Sequence, residues 1–290
     1  MIARLAFAAV LVASSTQAQD TARVPREIRG TIVVEAKYDV DAIRYATLPA
    51  FRVSGLVAGA DTSRRMDIAM SVWLVRGGEG RNVLIDAGFH RQRFIERWKP
   101  TDYVTPSEAV RRAGVAPEAV TDVVVTHVHW DHADGIDLFP NATVWIQADE
   151  YHHYVTPLTG APQERGIEAE VSTMLFDLER RGRLRLIEGD AQEFLPGITA
   201  YTGGKHTHAS QYIGVRTRAG TVVIASDNLY LYENLDRRVP IAQTLDAASN
   251  LRAQERMRSI ATHVRLIVPG HDPAVFARFR SPGNGVASIR

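Results

Sequence analysis

The chain has 290 residues, of which 45% are hydrophobic and 23% are charged, and its formal net charge is +1. This composition is sufficient for a large folded domain with a hydrophobic core, and the mixing of acidic and basic residues argues against a basic surface for nucleic acid. The chain has no cysteine, which excludes disulfide bonds and thiolate ligands. A metal site in this protein would therefore have to use histidine and carboxylate side chains.

The first 18 residues have the pattern of an export signal. The positively charged start, MIAR, precedes the apolar segment 5–13, which is too short to cross a bilayer, and Ala18 is a small residue at which a signal peptidase could cut. A disordered tail or a first helix is the alternative interpretation. We predict a signal peptide at 1–18, a single domain at 19–290, and a periplasmic or secreted protein that has no membrane anchor after signal removal.

Short segments rich in β-branched and aromatic residues alternate with helical patterns in the rest of the chain. One predicted helix has Ser107 as its N-cap and Gly114 as its stop. Because strands and helices alternate twice, the pattern predicts an α/β protein whose two similar halves share one core. The predicted strands are 31–36, 71–76, 82–86, 122–126, 142–147, 184–188, 198–202, 212–217, 221–226 and the start of 264–273. The predicted helices are 91–98, 107–114, 164–182 and 245–263.

The segment THVHWDHADG follows a continuous apolar strand and carries four possible metal ligands in six positions. His127 and His129 are two residues apart, so in an extended segment both imidazoles point to the same side and can reach one ion. Asp131 and His132 are adjacent to each other and can serve a second ion. A histidine-rich surface loop is the alternative, but buried histidine and aspartate are costly unless they are paired or bind metal. The segment therefore predicts a site for two metal ions.

Two metal ions need more ligands than these four side chains supply. Further candidates occur where later strands end: His206 and His208 lie in a glycine-rich turn, and Asp227 and His271 each follow a strand. Strand ends are the usual place of site residues in α/β folds. Any one of these residues alone would more often be structural, but together they complete the ligand set that the first segment begins.

This order of motifs, H-x-H-x-D-H followed by a histidine in a glycine-rich turn, an aspartate and a late G-H, resembles the metallo-β-lactamase superfamily. The resemblance covers nearly all of the chain after the signal segment, and it implies an αββα sandwich with two metal ions between its sheets. Within that superfamily, Tyr230 three residues after Asp227 and the GHD sequence at His271 are similar to the N-acyl-homoserine lactonases, which are quorum-quenching enzymes.

The resemblance implies seven metal ligands in two sets that share one bridging carboxylate: His127, His129 and His206 for the first ion, Asp131, His132 and His271 for the second, and Asp227 for both. Zinc is the expected metal, with cobalt, iron or manganese as alternatives. His208 and Ala209 stand where lactonases usually have Pro-Gly, so His208 is an alternative to His206 as a ligand. Asp86 is expected to support the metal loop through hydrogen bonds.

The function that the resemblance implies is a hydrolase that opens a lactone ring, with acyl-homoserine lactones as the leading substrates. A hydroxide shared by the two ions would attack the lactone carbonyl carbon. Tyr230 would donate a hydrogen bond to the carbonyl oxygen, and Asp131 would pass a proton to the leaving ring oxygen.

Several alternatives remain open at this point. The same site could hydrolyse another lactone, a thioester, a phosphodiester, a sulfate ester or a β-lactam, although a bridging Asp227 argues against β-lactams. An iron-dependent redox enzyme and a non-catalytic binding protein are further alternatives, and the complete ligand set argues against the last of these. A homodimer is expected only by analogy with relatives.

Overall fold

The computed structural model describes residues 37–77, 80–155 and 164–290. These residues belong to one compact unit of the chain, Glu35–Arg290. The predicted signal peptide at 1–18 and the predicted strand at 31–36 lie outside the described residues, so both stay predictions. The single-domain boundary at residue 19 also stays a prediction.

Thirteen strands in the described residues are linked by hydrogen bonds, and they divide into two sheets that one ladder pair joins, Tyr38 of the first with Thr217 of the second. The strands are β1 (Tyr38–Arg52), β2 (Arg65–Gly77), β3 (Arg81–Ile85), β4 (Asp122–Val124), β5 (Thr143–Gln147), β6 (Leu184–Ile187), β7 (Gln192–Leu195), β8 (Ile198–Thr202), β9 (Gln211–Thr217), β10 (Gly220–Ser226), β11 (Ile267–Pro269), β12 (Arg280–Gly283) and β13 (Val286–Ile289). The first sheet has the order β12-β13-β1-β2-β3-β4-β5-β6, and the second has the order β7-β8-β9-β10-β11.

Eight α-helices in the described residues pack against the two sheets. They are α1 (Gln92–Trp98), α2 (Pro106–Arg112), α3 (Trp130–Ala133), α4 (Ala148–Tyr154), α5 (Ala169–Arg180), α6 (Tyr232–Arg237), α7 (Ala247–Ile260) and α8 (Val275–Arg278). Short 3-10 helices occupy Val53–Gly55, Pro117–Ala119, Asp134–Leu138 and Val264–Leu266. No helix in the described part of the chain is long and apolar enough to cross a membrane.

Successive side chains of a strand point to opposite faces of the sheet, and in these sheets both faces are buried. In β2, Val72 and Leu74 pack against the outer helices. Trp73 and Val75 point the opposite way, into the layer between the two sheets. A strand with apolar neighbours on both faces has a continuous apolar sequence, and this is how the sequence reads from Ser71 onwards.

The structural layers follow the order helices, sheet, sheet, helices. An apolar layer fills each of the three spaces between them. The layer between the sheets takes side chains from both, among them Val40, Val75, Val83, Ile213, Val222 and Ile224. A second layer joins the first sheet to α1, α2, α4 and α5. A third joins the second sheet to α6 and α7. The αββα sandwich expected from the resemblance is confirmed.

Some predicted element boundaries are wrong. No strand is predicted at β1, and β2 begins at residue 65, six residues before the predicted start at 71. The N-cap of α2 is Thr105 and not Ser107, because Pro106 occupies the first helical position and the Thr105 hydroxyl accepts a hydrogen bond from the Glu108 backbone N–H at 3.3 Å. The long helices α5 and α7 begin five and two residues later than predicted.

Candidate metal centre

Polar residues that follow four strands meet at one end of the sandwich. Asp86 follows β3, His127 follows β4, Asp227 follows β10 and His271 follows β11, while His206 lies between β8 and β9. β3 and β4 are parallel neighbours, as are β10 and β11, so their carboxyl ends lie at the same edge of each sheet. This arrangement brings residues that are far apart in sequence to one place.

Three histidines from this edge direct ring nitrogens at a common point. His129 Nδ1 lies 3.1 Å from His127 Nε2 and 2.9 Å from His206 Nε2. One carboxylate oxygen of Asp227 completes this group, in which the four ligand atoms lie within 4.8 Å of one another. We call these four residues the three-histidine group.

Asp131, His132 and His271 form a second cluster, which we call the Asp-His-His group. His129 has an extended backbone conformation, and the chain then turns into the short helix α3, which carries Asp131 and His132 away from the first group. Asp131 Oδ2 lies 3.5 Å from His132 Nε2 and 3.7 Å from His271 Nε2. The adjacent pair in the sequence therefore serves a different cluster from the histidines that precede it.

The Asp227 carboxylate lies between the two groups. Its Oδ1 atom is 2.9 Å from His271 Nε2 and 3.3 Å from His132 Nε2. Its Oδ2 atom is 3.3 Å from His206 Nε2 and 3.8 Å from His127 Nε2. One oxygen thus faces each group, which is the arrangement that a bridging ligand requires.

The donor set fits two metal ions. Among the described residues, the buried atoms His132 Nε2 and Asp227 Oδ1 have no hydrogen-bond partner, although both point into the cluster. Four histidines engage their other ring nitrogen outside the cluster, which fixes the ring and leaves the inner nitrogen for a cation. These outer contacts are Thr126 Oγ1 with His127 at 3.1 Å, Asp86 Oδ2 with His132 at 2.8 Å, the Gln243 carbonyl with His206 at 2.8 Å, and the Ala69 carbonyl with His271 at 3.0 Å.

Asp86 holds the residues around the centre in place through hydrogen bonds. Its fully buried carboxylate accepts hydrogen bonds from the Thr126 backbone N–H at 2.8 Å and hydroxyl at 2.9 Å, and from the Ser226 hydroxyl at 3.0 Å. Asp86 and Ser226 both have left-handed backbone conformations, with φ of 60° and 47°. Non-glycine residues adopt this conformation at a cost, which the surrounding hydrogen bonds offset at functional sites.

Gly270 allows the last ligand loop to approach Asp227. A Cβ atom at position 270 would lie 2.8 Å from the Ser226 carbonyl oxygen and 2.9 Å from Asp227 Oδ1. Any other residue would therefore push His271 away from the bridging carboxylate. The glycine of the GHD sequence is required by this close approach.

The two groups have opposite electrostatics. Burial, together with the neighbouring imidazoles, holds the pKa of His127 well below its usual value, and burial lowers the pKa of His129 to about 3. Burial acts in the same direction on His132, but the carboxylates of Asp227 and Asp131 outweigh it and raise the pKa of His132 well above its usual value. For His271 the Asp227 carboxylate likewise outweighs burial and raises the pKa. The Asp-His-His group therefore attracts positive charge strongly.

A cavity of about 660 Å³ opens onto both groups. His129, Asp131, Asp227 and His271 form its polar floor together with Tyr230. The apolar walls, within the described residues, include Leu48, Phe51, Leu56, Ile68, Met70, Trp98 and Trp130. The centre is thus accessible to a small molecule that has an apolar portion.

Tyr230 spans the two groups. Its ring centroid lies 5.5 Å from that of His206 and 5.8 Å from that of His271, and its hydroxyl is 3.4 Å from His206 Nδ1. Burial raises the pKa of Tyr230 well above its usual value, so the hydroxyl stays protonated at neutral pH. It can donate a hydrogen bond to an oxygen atom placed over the cavity floor.

The structure brings together all seven residues that the resemblance implies as ligands, and it separates them into the two expected sets. The alternative ligand His208 lies outside both groups, with its ring stacked on that of His153 at 3.9 Å. Two residues that contact the ligand segments, Glu150 and Gly166, are not predicted from the sequence. No local motif marks these two residues, because each acts on a segment distant in sequence.

Comparisons with known proteins agree with this geometry. The family profile described as the metallo-beta-lactamase superfamily matches residues 68–271. An N-acyl homoserine lactonase from Bacillus sp. is 26% identical over 204 residues, which cover 69% of this chain and 76% of the relative. An N-acyl homoserine lactonase from Bacillus cereus is 31% identical over 166 residues, which cover 56% of this chain and 60% of the relative.

Solved structures share the fold. A quorum-quenching N-acyl homoserine lactone lactonase superposes with a TM-score of 0.67 at 20% identity, covering 84% of this chain and 96% of its own. AidC, a dizinc quorum-quenching lactonase solved with a product, superposes with a TM-score of 0.64 at 14% identity, covering 87% of this chain and 94% of its own. At these identities the superpositions establish the common architecture.

Proposed function

The chain belongs to the metallo-beta-lactamase superfamily, and from this premise we propose that it is a dinuclear metal-dependent hydrolase that opens the ring of an N-acyl homoserine lactone. The observation that carries the proposal is the pair of ligand groups that share Asp227 on the floor of a partly apolar cavity. The lactonases among its relatives support the substrate class. The activity would remove quorum-sensing signals.

The two ions would be held by the three-histidine group and the Asp-His-His group, with the Asp227 carboxylate between them. Bound there, they would supply Lewis acidity toward a carbonyl oxygen and would lower the pKa of water, which provides a nucleophile at neutral pH. Histidine and carboxylate ligands without thiolate suit zinc, and we propose zinc as the native metal.

Tyr230 would contribute a hydrogen bond to the carbonyl oxygen of the substrate. Because its hydroxyl stays protonated and lies at the cavity floor beside both groups, it can stabilise negative charge that develops on that oxygen. It needs no proton transfer for this role. A neutral donor in a largely buried site costs little reorganisation during the reaction.

Asp131 would move the proton that the leaving ring oxygen requires. Its side chain is 13% exposed and lines the cavity. Burial acts to raise its pKa, but the positive charge of His132 outweighs this and lowers it. The Asp131 carboxylate is therefore ionised when no substrate is bound. It can accept a proton from the attacking water and pass it to the ring oxygen when the C–O bond of the lactone breaks.

The cavity walls support an acylated substrate. Trp98 and Trp130 stack at 5.5 Å between ring centroids with an angle of 4° between their planes, and both line the cavity. Flat aromatic surfaces beside a polar floor suit a molecule with a reactive ring and an apolar tail. We propose that the tail lies along this wall.

The test is proton release by the purified protein with its bound metal quantified in the same sample. The substrates would be short-chain and long-chain acyl-homoserine lactones, simple γ- and δ-lactones, a chromogenic β-lactam and a phosphodiester. We expect turnover of the acyl-homoserine lactones that is lost on chelation and restored by zinc. Two bound ions without lactone turnover would contradict the proposed substrate and leave the metal centre in place.

The proposed location is the periplasm or the exterior of the cell, on the basis of the segment 1–18. Cell fractionation of the full-length chain tests this, with N-terminal sequencing of the purified protein. We expect the processed chain to begin at residue 19. Recovery of the unprocessed chain from the cytoplasm alone would contradict the proposal.

A further inference from the structure

Glu150 is a fully buried carboxylate beside the metal centre, and its hydrogen bonds in the described residues go to neighbours of the ligands and not to the ligand side chains. It belongs to α4, on the outer face of the first sheet, and its side chain is surrounded by hydrogen-bond donors. Oε1 accepts from the Val128 backbone N–H at 3.2 Å and from the Thr207 hydroxyl at 2.7 Å. Oε2 accepts from the Ala209 backbone N–H at 2.7 Å.

These partners belong to the two loops that form the three-histidine group. Val128 lies between His127 and His129, and Thr207 directly follows His206. The two loops are separated by a long stretch of chain, yet their ligand atoms must meet, with His129 Nδ1 and His206 Nε2 only 2.9 Å apart. One carboxylate holds both loops at once.

We propose that Glu150 is a positioning residue that sets the spacing of the two loops and thereby the affinity of the three-histidine group for a metal ion. This inference goes beyond the proposed lactonase activity, because it concerns the assembly of the centre and makes no reference to a substrate. It predicts unequal effects on the two groups, since in the described residues the hydrogen bonds of Glu150 go to the loops of His127, His129 and His206 and not to Asp131, His132 or His271.

The identity of the residue as glutamate follows from its partners. Two of the three are backbone N–H groups, which can only donate. A glutamine at this position would have to turn its NH₂ group toward Val128 or toward Ala209, so that one backbone N–H would face another donor. Glutamine therefore cannot accept from both loops, whereas a carboxylate can.

The experiment compares Glu150→Gln with Glu179→Gln. Glu179 is a suitable control because it also contacts a side chain of α4, where it accepts a hydrogen bond from the Tyr151 hydroxyl at 2.6 Å, but it makes no hydrogen bond to a ligand loop. Each variant would be stripped of metal and titrated with zinc against a chromogenic chelator. Cobalt titration with visible absorption spectra would report the geometry at each group.

For Glu150→Gln we expect about a tenfold to hundredfold loss of affinity for one of the two ions, as is typical when a partner outside the ligand set is removed. The cobalt bands of the three-histidine group should change, and those of the Asp-His-His group should not. Glu179→Gln should bind both ions as the wild type does. Unchanged zinc affinity and cobalt spectra in Glu150→Gln, or equal losses in both variants, would overturn the proposal.

Thr207→Val provides a milder version of the same change, because it removes one of the three hydrogen bonds and keeps the carboxylate. We expect a smaller loss of zinc affinity at the same group. If Glu150→Gln does not fold, a Thr207→Val protein with unaltered zinc affinity refutes the positioning role. A wild-type protein that binds two ions but opens no lactone would refute the proposed function and leave this test valid.

Discussion

The two ligand groups of the candidate metal centre are built from similar side chains but differ in charge. In the three-histidine group, burial keeps His127 and His129 neutral, so their ring nitrogens are free for a cation at ordinary pH. In the Asp-His-His group, nearby carboxylates raise the pKa of His132 and His271, so these rings hold protons in the absence of metal. A metal ion must displace protons in one group and not in the other.

This difference indicates how the centre would fill. The three-histidine group is ready to accept an ion, and its geometry is set by contacts outside the ligands. In the Asp-His-His group, the buried negative charge of Asp131 and Asp227 is balanced either by protons on His132 and His271 or by a bound cation. Asp227 couples the two, because its two oxygens face opposite groups.

Asp227→Asn should produce the largest effect, because it removes the charge that both groups share. We expect a loss of activity greater than about a hundredfold, beyond that of residues outside the ligand set. Metal analysis of the same sample should show loss from both groups. If one group alone loses its ion, Asp227 belongs to that group and does not bridge.

Tyr230→Phe tests whether the groups act together on one substrate oxygen. Loss of one hydrogen-bond donor to a developing oxyanion costs about a hundredfold in kcat, so we expect a loss of that order with metal content unchanged. Tyr232→Phe is the matched control, since Tyr232 is also buried but lies outside the cavity. Equal kcat values for wild type and Tyr230→Phe would remove Tyr230 from the mechanism.

Metal content should depend on pH at one group more than at the other. The raised pKa values of His132 and His271 mean that protons compete with the ion there as pH falls, by about tenfold in affinity per pH unit for each proton displaced. The low pKa values of His127 and His129 protect the three-histidine group over the same range. Zinc titrations between pH 5.5 and 8 should therefore show one ion lost first. Parallel loss of both ions would contradict the difference between the groups.

Gly166→Ala should have a smaller effect, confined to the three-histidine group. Gly166 has φ of 93°, and a Cβ atom there would lie 2.9 Å from the His129 ring. Gly182→Ala is the control, because φ is 69° and the added Cβ would meet no atom within 4 Å. Both variants share the backbone strain, about 1 kcal/mol. We expect a severalfold weaker affinity for zinc in Gly166→Ala only, measured by chelator competition. Equal affinities in the two variants would show that the contact with His129 does not affect zinc binding.

The sequence predicts those parts of the site that depend on local spacing. The two-residue separation of His127 and His129 is sufficient to place their rings on one side, and the strand that precedes them is apolar enough to be recognised. The assignment of the later ligands depends on the family resemblance. Spacing alone leaves His206 and His208 equivalent, and only the folded turn directs His206 inward.

Strand β1, which was not predicted, shows why other parts of the fold and of the site could not be predicted from the sequence. Asp41 is unfavourable in a strand by local propensity, yet in the structure it is 3% exposed near the start of β1. Its charge is balanced by Arg76 on the neighbouring strand, and it accepts a hydrogen bond from the Ser288 hydroxyl at 2.6 Å. Both partners are distant in sequence. The role of Glu150 is hidden for the same reason.

The origin of the ligands in two sheets has a consequence for unfolding. His127, His129, Asp131 and His132 follow a strand of the first sheet, while the remaining ligands come from the second, and in the described residues one ladder pair joins the sheets. An ion held between them would act as a cross-link between the halves, so separation of the sheets requires its release. The loaded protein would then resist heat and proteases more than the metal-free protein does.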